Sequence, residues 1–71
     1  MIRVIRNRVG SYFKDGEWTD QFPAAEKFSN VADVVAAKKR LGLQEVDLVL
    51  IIHDQPSPKW DVVLPLFRAG P

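Results

Sequence analysis

The sequence predicts one α+β domain over residues 1–71. The expected form is a small two-layer sandwich, an antiparallel sheet of three to four strands in β-β-α-β-β order with one helix on one face. Three observations lead there. Residues 30–41 place apolar side chains at helical spacing between a capping asparagine and a glycine. Stretches rich in Val, Ile and Leu with period-two alternation lie on both sides of that segment. The chain is also too short for a second core, and one helix covers only one face of such a sheet.

Residues Ile2–Asn7 open with β-branched types in rough alternation, Ile2 and Val4 on one side, Arg3 and Asn7 on the other. Gly10-Ser11 and Asp15-Gly16 are both turn signals, with Tyr12-Phe13-Lys14 between them. Either closes the first hairpin, or the chain reverses at both and adds a short strand near Trp18. In the helix, Asn30 is the N-cap and Asp33 stands three positions on. Val31, Val34, Val35, Ala37 and Leu41 share one face, while Ala32, Asp33, Ala36, Lys39 and Arg40 take the other. Lys38 falls inside the apolar arc, in the last turn, where its stem packs and its ammonium reaches water. Gly42 supplies a left-handed C-cap followed by apolar Leu43, and the basic Lys38-Lys39-Arg40 suits the helix dipole.

A strong strand follows over residues 45–53. Its even positions Val46, Leu48, Leu50 and Ile52 are wholly apolar, whereas the odd ones are mixed. Pro56 and Pro58 cannot continue it. The last strand, residues 60–67, sets Trp60, Val62, Leu64 and Leu66 on one face and Asp61, Val63, Pro65 and Phe67 on the other. Pro65 marks an edge strand or an early end. The even residues of these two strands are expected to pack against Val31, Val34 and Leu41.

Composition narrows the functional classes. Hydrophobic residues at 46% and charged ones at 27% are the balance of a globule rather than a disordered chain. Ten Lys and Arg against nine Asp and Glu leave a net charge of +1, which argues against nucleic-acid binding through bulk charge. The absence of cysteine excludes disulfides, thiolate zinc sites and cysteine nucleophiles. The first residues lack the apolar stretch of a signal peptide, and the longest apolar run, residues 48–52, is far too short to cross a bilayer. A cytoplasmic location is expected.

Residue types that carry chemistry are sparse. His53 sits beside Asp54 and near Asp61, but a general base also needs a nucleophile or a pocket, and Ser57 lies in a proline-rich turn. One histidine with scattered acids does not make a metal site, and the isolated glycines form no phosphate-binding loop. The expectation is a protein that is not an enzyme, with no catalytic residue, cofactor or metal.

Arg3, Arg6, Arg8 and Lys14, interleaved with Tyr12 and Phe13, offer a small platform for single-stranded nucleic acid. That makes a nucleic-acid-associated accessory protein the alternative function. Against it, Arg3 and Arg6 have opposite strand parity, and the acids over residues 15–20 are ready partners for these cations. The leading candidate is the sheet face turned away from the helix. There Val49, Ile51, Val63 and Phe67, with Ile5 joining them, form an apolar patch rimmed by Glu45, Asp47, His53 and Asp61. Such a patch marks an association site unless the N-terminal hairpin or residues 67–71 fold over it. The predicted function is a protein-interaction module that self-associates as a homodimer or holds another protein. Trp18 and Trp60 are expected to cover the core or a sheet edge.

The stretch from Val4 to Leu43 carries Trp18-Thr19-Asp20, Ala25, Phe28-Ser29 and then the helix. In this it resembles a loose class of short reading frames from bacteria and their phages. The resemblance covers a little over half the chain and implies a stand-alone, cytoplasmic, non-enzymatic protein. It carries no site residue over.

Overall fold

The computed structural model describes residues 1–66. Among them are β1 (Ile2–Asn7), β2 (Tyr12–Lys14), β3 (Glu17–Thr19), α1 (Val31–Leu41), β4 (Val46–Ile51) and β5 (Val62–Leu66), with a 3-10 turn over Phe22–Ala24. The strands make one sheet in the order β3-β2-β1-β4-β5, antiparallel at every junction. The α+β sandwich is as expected, but the sheet has five strands rather than three to four. The added strand is β3, because the chain reverses at both glycines. Lys14 pairs with Glu17 across a two-residue turn, and both turn residues, Asp15 (φ 41°) and Gly16 (φ 85°), take positive φ. A turn of that kind matches the twist of the strands it joins.

The helix is built by local signals. Asn30 Oδ1 accepts from the Asp33 N–H at 2.8 Å, and Gly42 closes the helix at φ 63°. The Leu43 N–H then donates to Lys38 O at 3.0 Å. Strand β4 pairs with β1 along its whole length, from Ile2 opposite Ile51 to Asn7 opposite Val46. It is buried on both faces. On the helix side, Ile5, Phe13, Val34, Ala37, Val46 and Leu48 form one cluster, extended by Phe28, Leu43, Leu50 and Leu66. Val4, Ala25, Val49 and Ile51 form a second cluster on the other side, with Ile2, Tyr12 and Phe22 packed against it.

Two expectations are corrected here. The face opposite the helix is not bare, because the connection through Phe22 and Ala25 lies across it. Main-chain bonds pin that connection to the sheet: Glu26 N–H donates to Phe13 O, and Phe28 N–H donates to Arg3 O, each at 2.9 Å. Lys27 Nζ folds back onto Pro23 O at 2.8 Å and holds the turn closed. Ile5 belongs to the helix side, opposite Leu48, and does not join Val49.

The second correction concerns how far the helix reaches. A helix is about 10–12 Å across and strands lie about 4.8 Å apart, so α1 covers roughly two of five strands. It packs against β1 through Val34 and Ala37. Val31 and Leu41 are therefore exposed rather than packed on the last two strands, and the helix side of β5 lies open at Val62 and Leu64.

Candidate functional site

Strand β5 is an apolar edge strand with Val62, Leu64 and Val63 exposed on its two faces and Leu66 half-buried against the helix-side cluster. Val62 and Leu64 stand opposite Leu50 and Leu48 and so belong to the helix side, whereas Val63 stands opposite Val49 on the other side. Their exposures are nearly equal at 43%, 43% and 41%. On the helix side, α1 has a flank that carries Val31 and Val35, both about half-exposed. The other flank borders residues 26–29 across a shallow polar groove lined by Glu26, Phe28, Asp33 and Arg40 among others. Residues 26–28 bond to β2 and β1, so the Val31 and Val35 flank is the one turned toward β4 and β5.

The main-chain polarity of β5 follows from the ladder. Asn7 N–H donates to Ser11 O, and Arg3 O accepts from Phe28 N–H, so the odd residues of β1 turn their main-chain groups away from β4. The even residues of β1 then bond Asp47, Val49 and Ile51, and the intervening Val46, Leu48 and Leu50 turn toward β5. Their partners are Leu66, Leu64 and Val62. Val63 and Pro65 consequently point their main-chain groups out of the sheet. Pro65 breaks no ladder bond in this position, which is why an apolar strand tolerates it. Among the described residues, the Val63 N–H is the one main-chain donor that β5 presents at its outer edge.

The opposite edge of the sheet is guarded. Strand β3 is three residues long, contains Glu17, and is flanked by Asp15 and Asp20. Short length and charge are the usual defences of a sheet edge. Strand β5 has no charged residue between Val62 and Leu66.

Of the four residues expected to form the association patch, Val63 is exposed, Val49 and Ile51 are buried within the chain, and Phe67 lies outside the described residues. The rim is rearranged too. Asp47 is only 8% exposed and stands opposite Arg6, and its Oδ1 finds no hydrogen-bond partner among the described residues. Asp61 closes the loop before β5, its Oδ2 accepting from Ser57 N–H at 2.9 Å. His53 is exposed and meets the Trp60 ring edge-on at 5.3 Å, not Asp54 or Asp61.

The basic residues do not gather. Arg3, on the helix side, donates from its guanidinium to Ser29 O at 3.0 Å. Arg6 lies on the other face opposite Asp47, Lys14 at the end of β2 shares that face, and Arg8 sits in the turn after β1, so the four do not all share one surface. Trp18 covers Phe13 edge-on at 5.8 Å, as an edge cover would. Trp60 is more than half exposed, with Lys59 Nζ above its ring.

Sequence reasoning missed the exposed helix flank and the main-chain polarity of β5. Pro65 was the available signal for the second, since it implies a side of the strand that needs no donor. Among the described residues no helix is long and apolar enough to cross a membrane, and no three His, Asp or Glu side chains come together as a metal ion would require. No protein-family model, curated protein or solved structure matches the chain.

Proposed function

We propose that the protein is a small, non-enzymatic, cytoplasmic interaction module that self-associates, with β5 at the centre of its contact surface. One observation carries the reading: an apolar edge strand keeps over two-fifths of Val62, Val63 and Leu64 exposed, on both faces at once. Scattered surface apolar residues need no explanation, but a contiguous set on an undefended edge is a template for another chain. The surface has moved from where strand parity alone put it. Val49 and Ile51 support β5 from within the core, and Val63 is at the contact. Arg3 lies on the helix side while Arg6 and Lys14 lie on the other, and this split works against one continuous basic platform for nucleic acid. Sedimentation velocity from about 10 µM to about 1 mM tests the reading, a range set by the weak affinities of small interfaces. The expected result is a mass that rises with concentration from 8.0 kDa toward twice that value. A monomer across the whole range would overturn it.

A further inference from the structure

Resting on the self-association reading, we infer that the second copy adds its own β5 antiparallel to the first. Two five-stranded sheets then become one of ten strands, about a twofold axis at Val63.

The exposure pattern favours a strand beside β5 over a surface stacked on it. A partner on the helix side would cover Val62 and Leu64 and leave Val63 bare, and one on the other side would do the reverse. A neighbouring strand lies against all three, whose exposures match within two percentage points.

Main-chain chemistry sets the register. The outward groups of β5 are the Val63 N–H, the Val63 C=O and the Pro65 C=O. With the axis at Val63, each Val63 N–H donates to the C=O of the partner's Val63, and both groups are satisfied in one reciprocal pair. Moving the axis to Leu64 would aim each Val63 N–H at the C=O of the partner's Pro65. That register also makes two bonds, but it sets the donor-less proline ring against Val63 inside the pairing rather than at its end. In the preferred register Val62 lies opposite the partner's Leu64, a non-hydrogen-bonded pair in which side chains come closest. Asp61 stands opposite the partner's Pro65, and neither has a free N–H because that of Asp61 is given to Ser57 O at 2.8 Å, so the pairing ends there, just outside β5.

Closure follows from the same geometry. A twofold pairing consumes both β5 edges and leaves the two acidic β3 edges outermost, so the sheet stops at ten strands instead of growing. The contact is small. A standard interface takes about 800 Å² from each partner, roughly one-sixth of the 4908 Å² surface here, and a five-residue strand edge supplies less. Micromolar, concentration-dependent association is therefore expected.

The chain has no cysteine, so Val63→Cys introduces one thiol on an otherwise thiol-free protein. In a reciprocal hydrogen-bonded pair the Cα atoms lie about 5.5 Å apart, within the disulfide range, but the Cβ atoms are wider apart than a disulfide prefers, so a short bis-maleimide serves as the cross-linker beside oxidation. At concentrations where the native chain is dimeric, Val63→Cys should convert mostly to a cross-linked dimer. Val35→Cys, on the helix flank, should stay monomeric on the same non-reducing gel. Val63→Pro removes the outward donor without touching the β4 ladder. It should keep the native circular dichroism and weaken dimerisation about tenfold or more, as loss of two hydrogen bonds implies. If Val63→Pro does not fold, the cysteine pair decides alone. A dimeric native chain whose Val63→Cys variant fails to cross-link, or cross-links no better than Val35→Cys, overturns the β5 pairing and leaves self-association standing through another surface. A native chain that is monomeric throughout overturns both.

Discussion

Val4 and Val49 stand directly opposite each other on β1 and β4 with 1% or less of their surface exposed, on the face that α1 does not touch. Phe22 and Ala25 supply the cover. Val63 is the cross-strand neighbour of Val49 on the same face and keeps 41% of its surface. Cover therefore runs out between β4 and β5. Val49→Ala removes two buried methyl groups and should cost about 2 kcal/mol. Val63→Ala, measured well below the dimerisation range, should cost less than about 0.5 kcal/mol. Urea denaturation reads the difference as a lowered midpoint for the first variant only, and equal midpoints would mean that the face is open across both strands.

The N-cap gives a second, local prediction. Asn30 Oδ1 holds the Asp33 N–H, one of the first-turn donors that the helix cannot satisfy itself. Asn30→Ala should cost about 1 kcal/mol, and Asn30→Asp should restore most of it. For a domain of this size that is a fall in the thermal midpoint of roughly 4–8 °C, measurable by circular dichroism at 222 nm.

Gly42 separates conformational strain from crowding. A Cβ at this position would meet nothing within 4 Å, yet the backbone is left-handed at φ 63°. Gly42→Ala should thus destabilise through backbone strain alone, by about 1 kcal/mol, and Gly42→Asn by less because asparagine tolerates that region. Equal losses for the two variants in thermal melts would point to something other than φ.

These sites also mark how far the fold could be read from sequence. Helix α1 was legible to within a residue because Asn30, Asp33, Gly42 and Leu43 act over one turn each and need no tertiary partner. The parity of β4 was legible because Val46, Leu48 and Leu50 alternate against a polar Asp47. The cover over Val49 was not, since Phe22, Pro23 and Ala24 form a single 3-10 turn capped by Ala25 and have no period to detect. Nor was the reach of α1. Val31, Val35 and Leu41 share an apolar arc with Val34, but the width of a helix against five strands decides which of them is buried. The outward N–H of Val63 depends on alternation carried from β1 through β4, which is known only once the strands are paired.

Asp47 is a further consequence of that pairing. Its carboxylate is mostly buried opposite Arg6, and one oxygen lacks a partner among the described residues. A buried acceptor without a partner costs about 1–3 kcal/mol, and an apolar residue of similar shape avoids that cost. Asp47→Val should therefore raise the urea midpoint. Asp47→Ala should gain less, because it also leaves a void. A lower midpoint for both would show that the carboxylate contributes to stability despite its burial.

Leu64 tests whether the edge itself drives association. It lies on the helix side of β5, is 43% exposed, and its main-chain groups bond Leu48 across the ladder. Leu64→Lys keeps those bonds, and its long stem can run along the apolar floor while the ammonium reaches water, so the fold should survive with a loss under about 1 kcal/mol. The substitution also gives β5 a charged side chain, a defence that β3 already has, with opposite sign, in Glu17. In the β5 pairing Leu64 sits opposite the partner's Val62, so two lysines enter every dimer and face apolar side chains. Sedimentation should then show dimerisation weakened by about tenfold or more, the effect of losing one apolar contact on each side together with partial burial of charge. Leu41→Lys provides the comparison. Leu41 is equally exposed, at 44%, but lies on α1 and not on the β5 edge. A leucine-to-lysine change there adds the same charge to the chain and should leave the dimer intact. If the two variants weaken association alike, net charge rather than the β5 edge governs it.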